Sequence, residues 1–270
     1  MKTNTTKALL VLAGFAVITP FAQAQTPSYT NGDLFLGFRA SGGTGATSTY
    51  LVNIGQASTY RDAADGSSFS LSIGNIGADL TTTYGATWFD RADLFWGIVG
   101  GVTPGLGADG NNTLYASLQQ QPFGIETNPW DRRSNSQQSS TNTQITGLKN
   151  SFVSGQYSVT GNSSVAAIIP TSDASSWEDF NDGALSFGAW NGGIEGSFVN
   201  STEGTALDLH RMATSSTPSL DGTREGTFTI TDAGAVSFAA PIPEPSSALI
   251  IASGFGMLGM LRRRRKTINS

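Results

Sequence analysis

The chain has 270 residues, of which 38% are hydrophobic and 13% charged, with 33 glycines and no cysteine. That composition excludes disorder driven by high charge and low hydrophobicity, and it excludes disulfides, thiolate metal sites and cysteine nucleophiles. The formal net charge of −5 hides an asymmetry, because seven of the fifteen basic residues are Lys2, Lys7 and the run Arg262 to Lys266. Between Gln25 and Ala240, eight Lys/Arg stand against nineteen Asp/Glu, a balance of about −11. A body of that sign repels a phosphate backbone, so no nucleic-acid partner is expected.

The first element in chain order is a targeting segment. Lys2 and Lys7 precede an apolar stretch from Ala8 to about Phe21, and Ala22-Gln23-Ala24 then supplies the small-x-small pattern that a signal peptidase accepts. Recognition of Ala22 and Ala24 and cleavage after Ala24 would leave Gln25 as the new N-terminus. The apolar run is shorter than the roughly 20 residues of a spanning helix and contains Pro20, so residues 1–24 read as a signal peptide and not as an anchor.

Residues 25–240 read as one all-β exported domain, a sandwich or jelly roll with few short helices. Short runs rich in Phe, Tyr, Val, Ile and Thr alternate with Gly, Asn, Asp and Ser clusters. Strands are expected over Asp33–Arg39, Thr49–Ile54, Phe69–Ile73, Leu94–Val99, Thr113–Ser117, Ser151–Val159, Val165–Ile169, Leu185–Trp190 and Thr227–Ile230. The last of these opens a hairpin with a turn at Thr231–Gly234 and a return strand Ala235–Phe238. Alternation puts Phe228 and Ile230, and Val236 and Phe238, on one buried face. One helix is expected from Ile76 to Tyr84, stopped by Gly85. The stretch Asp131 to Gln144 holds no apolar residue and reads as a solvated loop. Asp33-Leu-Phe-Leu-Gly-Phe38 recurs as Asp93-Leu-Phe-Trp-Gly-Ile98, which marks either a duplicated strand unit or the ordinary look of buried strands.

The chemistry-bearing residues of the body are sparse. The one histidine, His210, lies two residues from Asp208, so on a strand the two share a face. No Gly-x-Ser-x-Gly elbow accompanies them, and no catalytic residue is expected. Carboxylate pairs can be drawn from Glu126, Glu178, Asp179, Asp182, Glu195 and Glu203, but a body with nineteen acids always offers a pair. Trp177-Glu178-Asp179-Phe180 has two readings. Trp177 and Glu178 suit a sugar face and its hydroxyls, while the plainer alternative is an amphipathic turn burying Trp177 and Phe180. No cofactor is called for. Calcium is the most credible metal, through oxygen-rich turns such as Asp62 to Gly66, Asp109 to Asn112 and Asn181 to Gly183, although Asp and Asn favour tight turns for backbone reasons alone.

The last segment has three unlike parts in fixed order. Pro241-Ile-Pro243-Glu244-Pro245 stays extended, an apolar stretch follows from Ala248 to Leu261, and Arg262, Arg263, Arg264, Arg265 and Lys266 close it. The apolar stretch spans about 21 Å as a helix, and flanking residues with snorkelling arginine stems close much of the gap to the roughly 30 Å hydrocarbon core. The basic cluster would anchor the cytoplasmic side of the inner membrane. This tail resembles the PEP-CTERM sorting signal, with Pro243, Glu244 and Pro245 as the motif. The resemblance implies export, transient membrane anchoring, and cutting near that motif by exosortase, a membrane-embedded cysteine transpeptidase-like enzyme of Gram-negative bacteria that also make exopolysaccharide. The opening of the body, Asp33 to Arg39 and Thr49 to Gly55, with the late Gly226 to Ile230 and Val236 to Phe238, is similar to uncharacterised PEP-CTERM proteins of the Verrucomicrobia type.

The expectation is therefore an exported cell-surface or extracellular-matrix protein, non-enzymatic and associated with exopolysaccharide. Its partners would be signal peptidase, exosortase and, before processing, the inner membrane. The alternative is a carbohydrate-binding module, suggested by five tryptophans, Trp88, Trp96, Trp130, Trp177 and Trp190, and by turn-borne acids.

Overall fold

The computed structural model describes residues 26–120, 124–157, 164–181, 187–190, 193–198, 206–216 and 220–242. Ten strands form one continuous, curled half-barrel sheet: β1 Asp33–Ala40, β2 Ser48–Gln56, β3 Ser68–Ser70, β4 Leu94–Val102, β5 Thr113–Gln119, β6 Ala166–Pro170, β7 Glu195–Ser197, β8 Ala206–Met212, β9 Thr223–Ile230 and β10 Val236–Ala239. The order is β3-β10-β9-β8-β5-β4-β1-β2-β6, with β7 added beside β4 off that path. Every pair is antiparallel. The all-β class and the few short helices are as the sequence indicated, and the strands belong to one curled sheet.

The sheet is covered on both faces, which is why its central strands carry nearly unbroken apolar runs. In β1 all eight residues are buried. Leu34, Leu36 and Phe38 face one core together with Tyr50, Trp96 and Phe228, under the helices α1, Ala57–Arg61, and α2, Ile76–Tyr84. Phe35 faces the second core with Leu51, Val99 and Met212, under α3, Asn135–Val153, and α4, Trp177–Asn181. The final hairpin pairs Val236 with Ile230 and Phe238 with Phe228, and all four side chains lie in the first core. The helix over 76–84 begins at an Asn75 cap accepting from the Ala78 N–H and ends at Gly85, whose φ of 98° suits glycine.

Three stretches depart from expectation. Asp131 to Gln144 is not a solvated loop, because from Asn135 onward it is the first half of α3. A capping box starts this helix: Ser134 accepts from the Gln137 N–H while the Gln137 side chain accepts from the Ser134 N–H. Its buried positions here are polar, and Gln138 Nε2 donates to the carbonyls of Asn112 and Met212, both at 2.8 Å, while the buried Thr141 hydroxyl has no hydrogen-bond partner. Only the second half shows an apolar stripe, Ile145, Leu148 and Phe152, facing the second core. The strand expected at Ser151–Val159 is that helix's last turn and the residues after it; positions 158 and 159 lie outside the described residues. In the strand expected at Leu185–Trp190, the described part holds a 3-10 turn, Gly188–Trp190.

The recurrent segments lie side by side. β1 and β4 pair with Gly37 opposite Gly97, Leu36 opposite Ile98 and Phe38 opposite Trp96. A Cβ on Gly37 would overlap the Trp177 indole, and one on Gly97 would stand 3.1 Å from the same ring. The shared glycine therefore has a packing cause, since the two together make the floor on which Trp177 rests.

Candidate functional site

Among the described residues, three clusters join mutually paired or neighbouring charged side chains that are withdrawn from solvent. In the first, Arg39 of β1 holds two carboxylates. Its Nε donates to Glu195 at 3.0 and 2.7 Å, and its Nη1 donates to Glu178 at 3.3 and 3.2 Å. Trp177 Nε1 donates to Glu195 Oε1 at 2.7 Å, and the Arg39 guanidinium lies 5.1 Å from the centre of the Phe95 ring. Burial pushes the Glu195 carboxyl up to about 7, against the pull of Arg39. The group ties β7 and α4 to β1.

The Trp177 ring is 0% exposed, so it offers no face to a sugar. At the residues read as a glycan contact, Trp177 and its neighbour Phe180 are buried, and Glu178 is bonded to Arg39. The wider tryptophan set behaves likewise. Trp88 and Trp96 are core residues, while Trp190 stacks on Phe187 with its ring 5.9 Å from the Arg133 guanidinium and its Nε1 donating to the Asp131 carbonyl. Trp130 packs on Phe187 and donates to the Ser117 carbonyl.

The second group contains the histidine. Asp208 and His210 share one face of β8, but the aspartate does not orient the imidazole. Asp208 accepts from Gln120 Nε2 at 2.6 Å, Thr227 Oγ1 at 2.8 Å, and the backbone N–H and hydroxyl of Thr127 at 2.8 and 3.0 Å, with Arg224 at 3.1 Å. Burial pushes this carboxyl up, and those donors together with Arg224 outweigh it, so its pKa is lowered. His210 is 0% exposed, and its Nδ1 has no partner. Burial takes its pKa down to about 4, so at neutral pH the ring is uncharged.

The third group centres on buried Asp109, which takes Arg61, Arg211 Nε at 2.7 Å, and the Tyr115 hydroxyl at 2.9 and 3.0 Å. The carboxylate clamps the β4–β5 loop to the sheet. Asn112 in the same loop adopts φ 62° and bonds Thr103 and Asn135, so this turn's Asp and Asn serve backbone shape and internal pairing. Among the described residues no group of three or more His, Cys, Asp or Glu could hold a metal ion.

At its end the sheet hands the chain to the tail. After β10, the Ala240 N–H donates to the Ser67 carbonyl and the Pro241 carbonyl accepts from the Gly66 N–H, each at 2.9 Å. Ile242 is 78% exposed. Residues 241–266, starting at that last bonded proline, match the family model of the PEP-CTERM protein-sorting motif. The tail is a PEP-CTERM motif. No curated protein and no solved structure matches the chain. The PEP-CTERM motif implies exosortase as processing partner, and export to the cell surface as the destination.

Pro243, Glu244, Pro245 and Arg262 to Lys266 lie outside the described residues, as do Ala22 and Ala24 of the signal-peptidase site. Among the described residues no helix is long and apolar enough to cross a membrane. The sequence reading missed Arg39, Asp109 and Glu195 as organising side chains. The one available signal was an arginine inside an otherwise apolar run, Asp33 to Ala40, since a buried guanidinium requires acceptors.

Proposed function

We propose that this exosortase-targeted surface protein is a non-enzymatic component of the exopolysaccharide layer. The observation that carries the reading is continuity: the sheet remains hydrogen-bonded through Pro241, where the PEP-CTERM motif begins, so the body is built as the cargo of that signal. The internal pairing of the buried charges supports it further. Arg39, Asp109 and Asp208 each spend their hydrogen bonds on neighbouring side chains and backbone, the arrangement of groups that hold a fold. In this reading signal peptidase removes residues 1–24, the tail holds the chain transiently in the inner membrane, and the body ends in the polysaccharide matrix. Fractionation of cells with and without polysaccharide synthesis is the test. The body is expected to sediment with the matrix in the first and to appear in the medium in the second; an unchanged distribution would overturn the association.

A carbohydrate-binding reading is favoured by one other feature. A groove of about 400 Å³ runs between β3 and the end of β2, where the half-buried ring of Phe69, backed by the buried Tyr60, stands beside Asn53, Thr59 and Ser70. Rings beside amide and hydroxyl groups suit a sugar. A polysaccharide pull-down with the protein and with Phe69→Ala separates the two readings: binding lost in the variant supports the module, and equal retention of both removes it.

A further inference from the structure

We infer that the last rung of the sheet is a latch on sorting: residues 240 and 241 must release Ser67 and Gly66 before the motif can be processed. The inference rests on the exosortase reading of the tail and adds a conformational step to it. Its basis is the spacing between fold and motif. Among the described residues Pro241 is the last with a hydrogen bond to the body, and Pro243 follows two steps later in sequence. Two extended steps reach about 7 Å. That is less than the roughly 10–12 Å diameter of one α-helix with its side chains. An enzyme whose groove encloses Pro243 to Pro245 therefore meets the edge of the sheet unless the chain is drawn out of it.

The rung is built to open. β3 is three residues long, lies at the end of the strand order, and exposes Ser68 and Ser70. Its partner β10 has four residues. Beyond them the chain is held by the Ala240–Ser67 and Gly66–Pro241 bonds, and the next side chain, Ile242, is in solvent. Short edge pairings are the low-stability end of a sheet, opening without the rest of the fold. Opening back to Ala239 lengthens the free approach to Pro243 from one residue, Ile242, to three, residues 240–242, and leaves the Phe228, Phe238 and Tyr60 ring contacts in place.

The chain's lack of cysteine makes the latch testable by a staple. Ser67 and Ala240 form one rung of the latch itself, the Ala240 N–H donating to the Ser67 carbonyl at 2.9 Å. Hydrogen-bonded antiparallel pairs hold their Cα atoms about 5.5 Å apart, within disulfide range. The double variant S67C/A240C, as the full chain in vesicles carrying exosortase, is followed by intact mass for loss of the tail, oxidised and then reduced. The oxidised form is expected to be processed about tenfold more slowly than wild type and the reduced form at the wild-type rate. Inserting about eight Gly/Ser residues between Ile242 and Pro243 should restore the oxidised form to the wild-type rate. Equal rates for oxidised and reduced protein without the insertion would overturn the latch, as would an oxidised form that stays slow with it. Failure of every form to lose its tail would remove the sorting reading itself.

Discussion

Trp177 rests on Gly37 and Gly97 and donates its indole N–H to Glu195, so Trp177→Ala removes a large buried ring and one of the groups that pair a buried carboxylate. The expected cost is about 3–5 kcal/mol, read as a lower denaturant midpoint. A purely surface tryptophan would leave stability within about 0.5 kcal/mol. Titration acts at the same scale. Glu195 and Glu225 have pKa values raised to about 7, chiefly by burial. A carboxyl raised above its unfolded value contributes stability fully present below about 4.5 and lost as pH rises through 7. His210, lowered to about 4 by burial, has the opposite sign: its contribution is present above about 6.5 and lost as pH falls through 4. With two such carboxyls against one histidine, these groups together should give a stability maximum near pH 4.5 and a decline from there to about pH 7. Glu195→Gln should flatten the decline between about pH 4.5 and 7, a slope that denaturation at several pH values measures; an unchanged slope would show that burial does not raise the Glu195 carboxyl.

At the scale of elements, β1 and β4 are sandwiched between two cores while β3 sits on an edge, so backbone amides of Leu36 and Ile98 should exchange with solvent far more slowly than those of β3. Exchange mapped by peptide mass would contradict this arrangement if the two regions matched. Ser134→Ala removes the cap of α3 and is expected to cost about 0.5–2 kcal/mol in the same denaturation assay. What could be read from the sequence follows from these environments. Strands β1, β2, β4 and the final hairpin announce themselves through apolar and aromatic runs, and α2 through its glycine stop. The start of α3 hid because Gln138, Thr141 and Asn142 are buried polar residues, which a hydrophobic period does not register; the Ser134-x-x-Gln137 box was the legible sign. β8 was overlooked because Asp208, His210 and Arg211 interrupt its apolar positions, and their partners Thr127, Gln120 and Asp109 are distant in sequence. The Arg39 group has the same cause, with Glu178 and Glu195 brought together by α4 and β7.

For the whole molecule, the sheet and the motif form one design: a doubly covered half-barrel whose last strand runs directly into a sorting signal. The tail was legible because three unlike parts coincide in 26 residues, whereas the body's role depends on surfaces that composition does not encode. The most direct measurement is intact mass of the native protein, recovered from membrane, outer surface and medium in cells with and without exosortase. With the enzyme, the surface or released form should lack both Met1 to Ala24 and the tail beyond the Pro-Glu-Pro motif, and without it the tail should remain. A mass retaining Arg262 to Ser270 in cells that make the enzyme would contradict sorting and leave a protein held by an unprocessed tail.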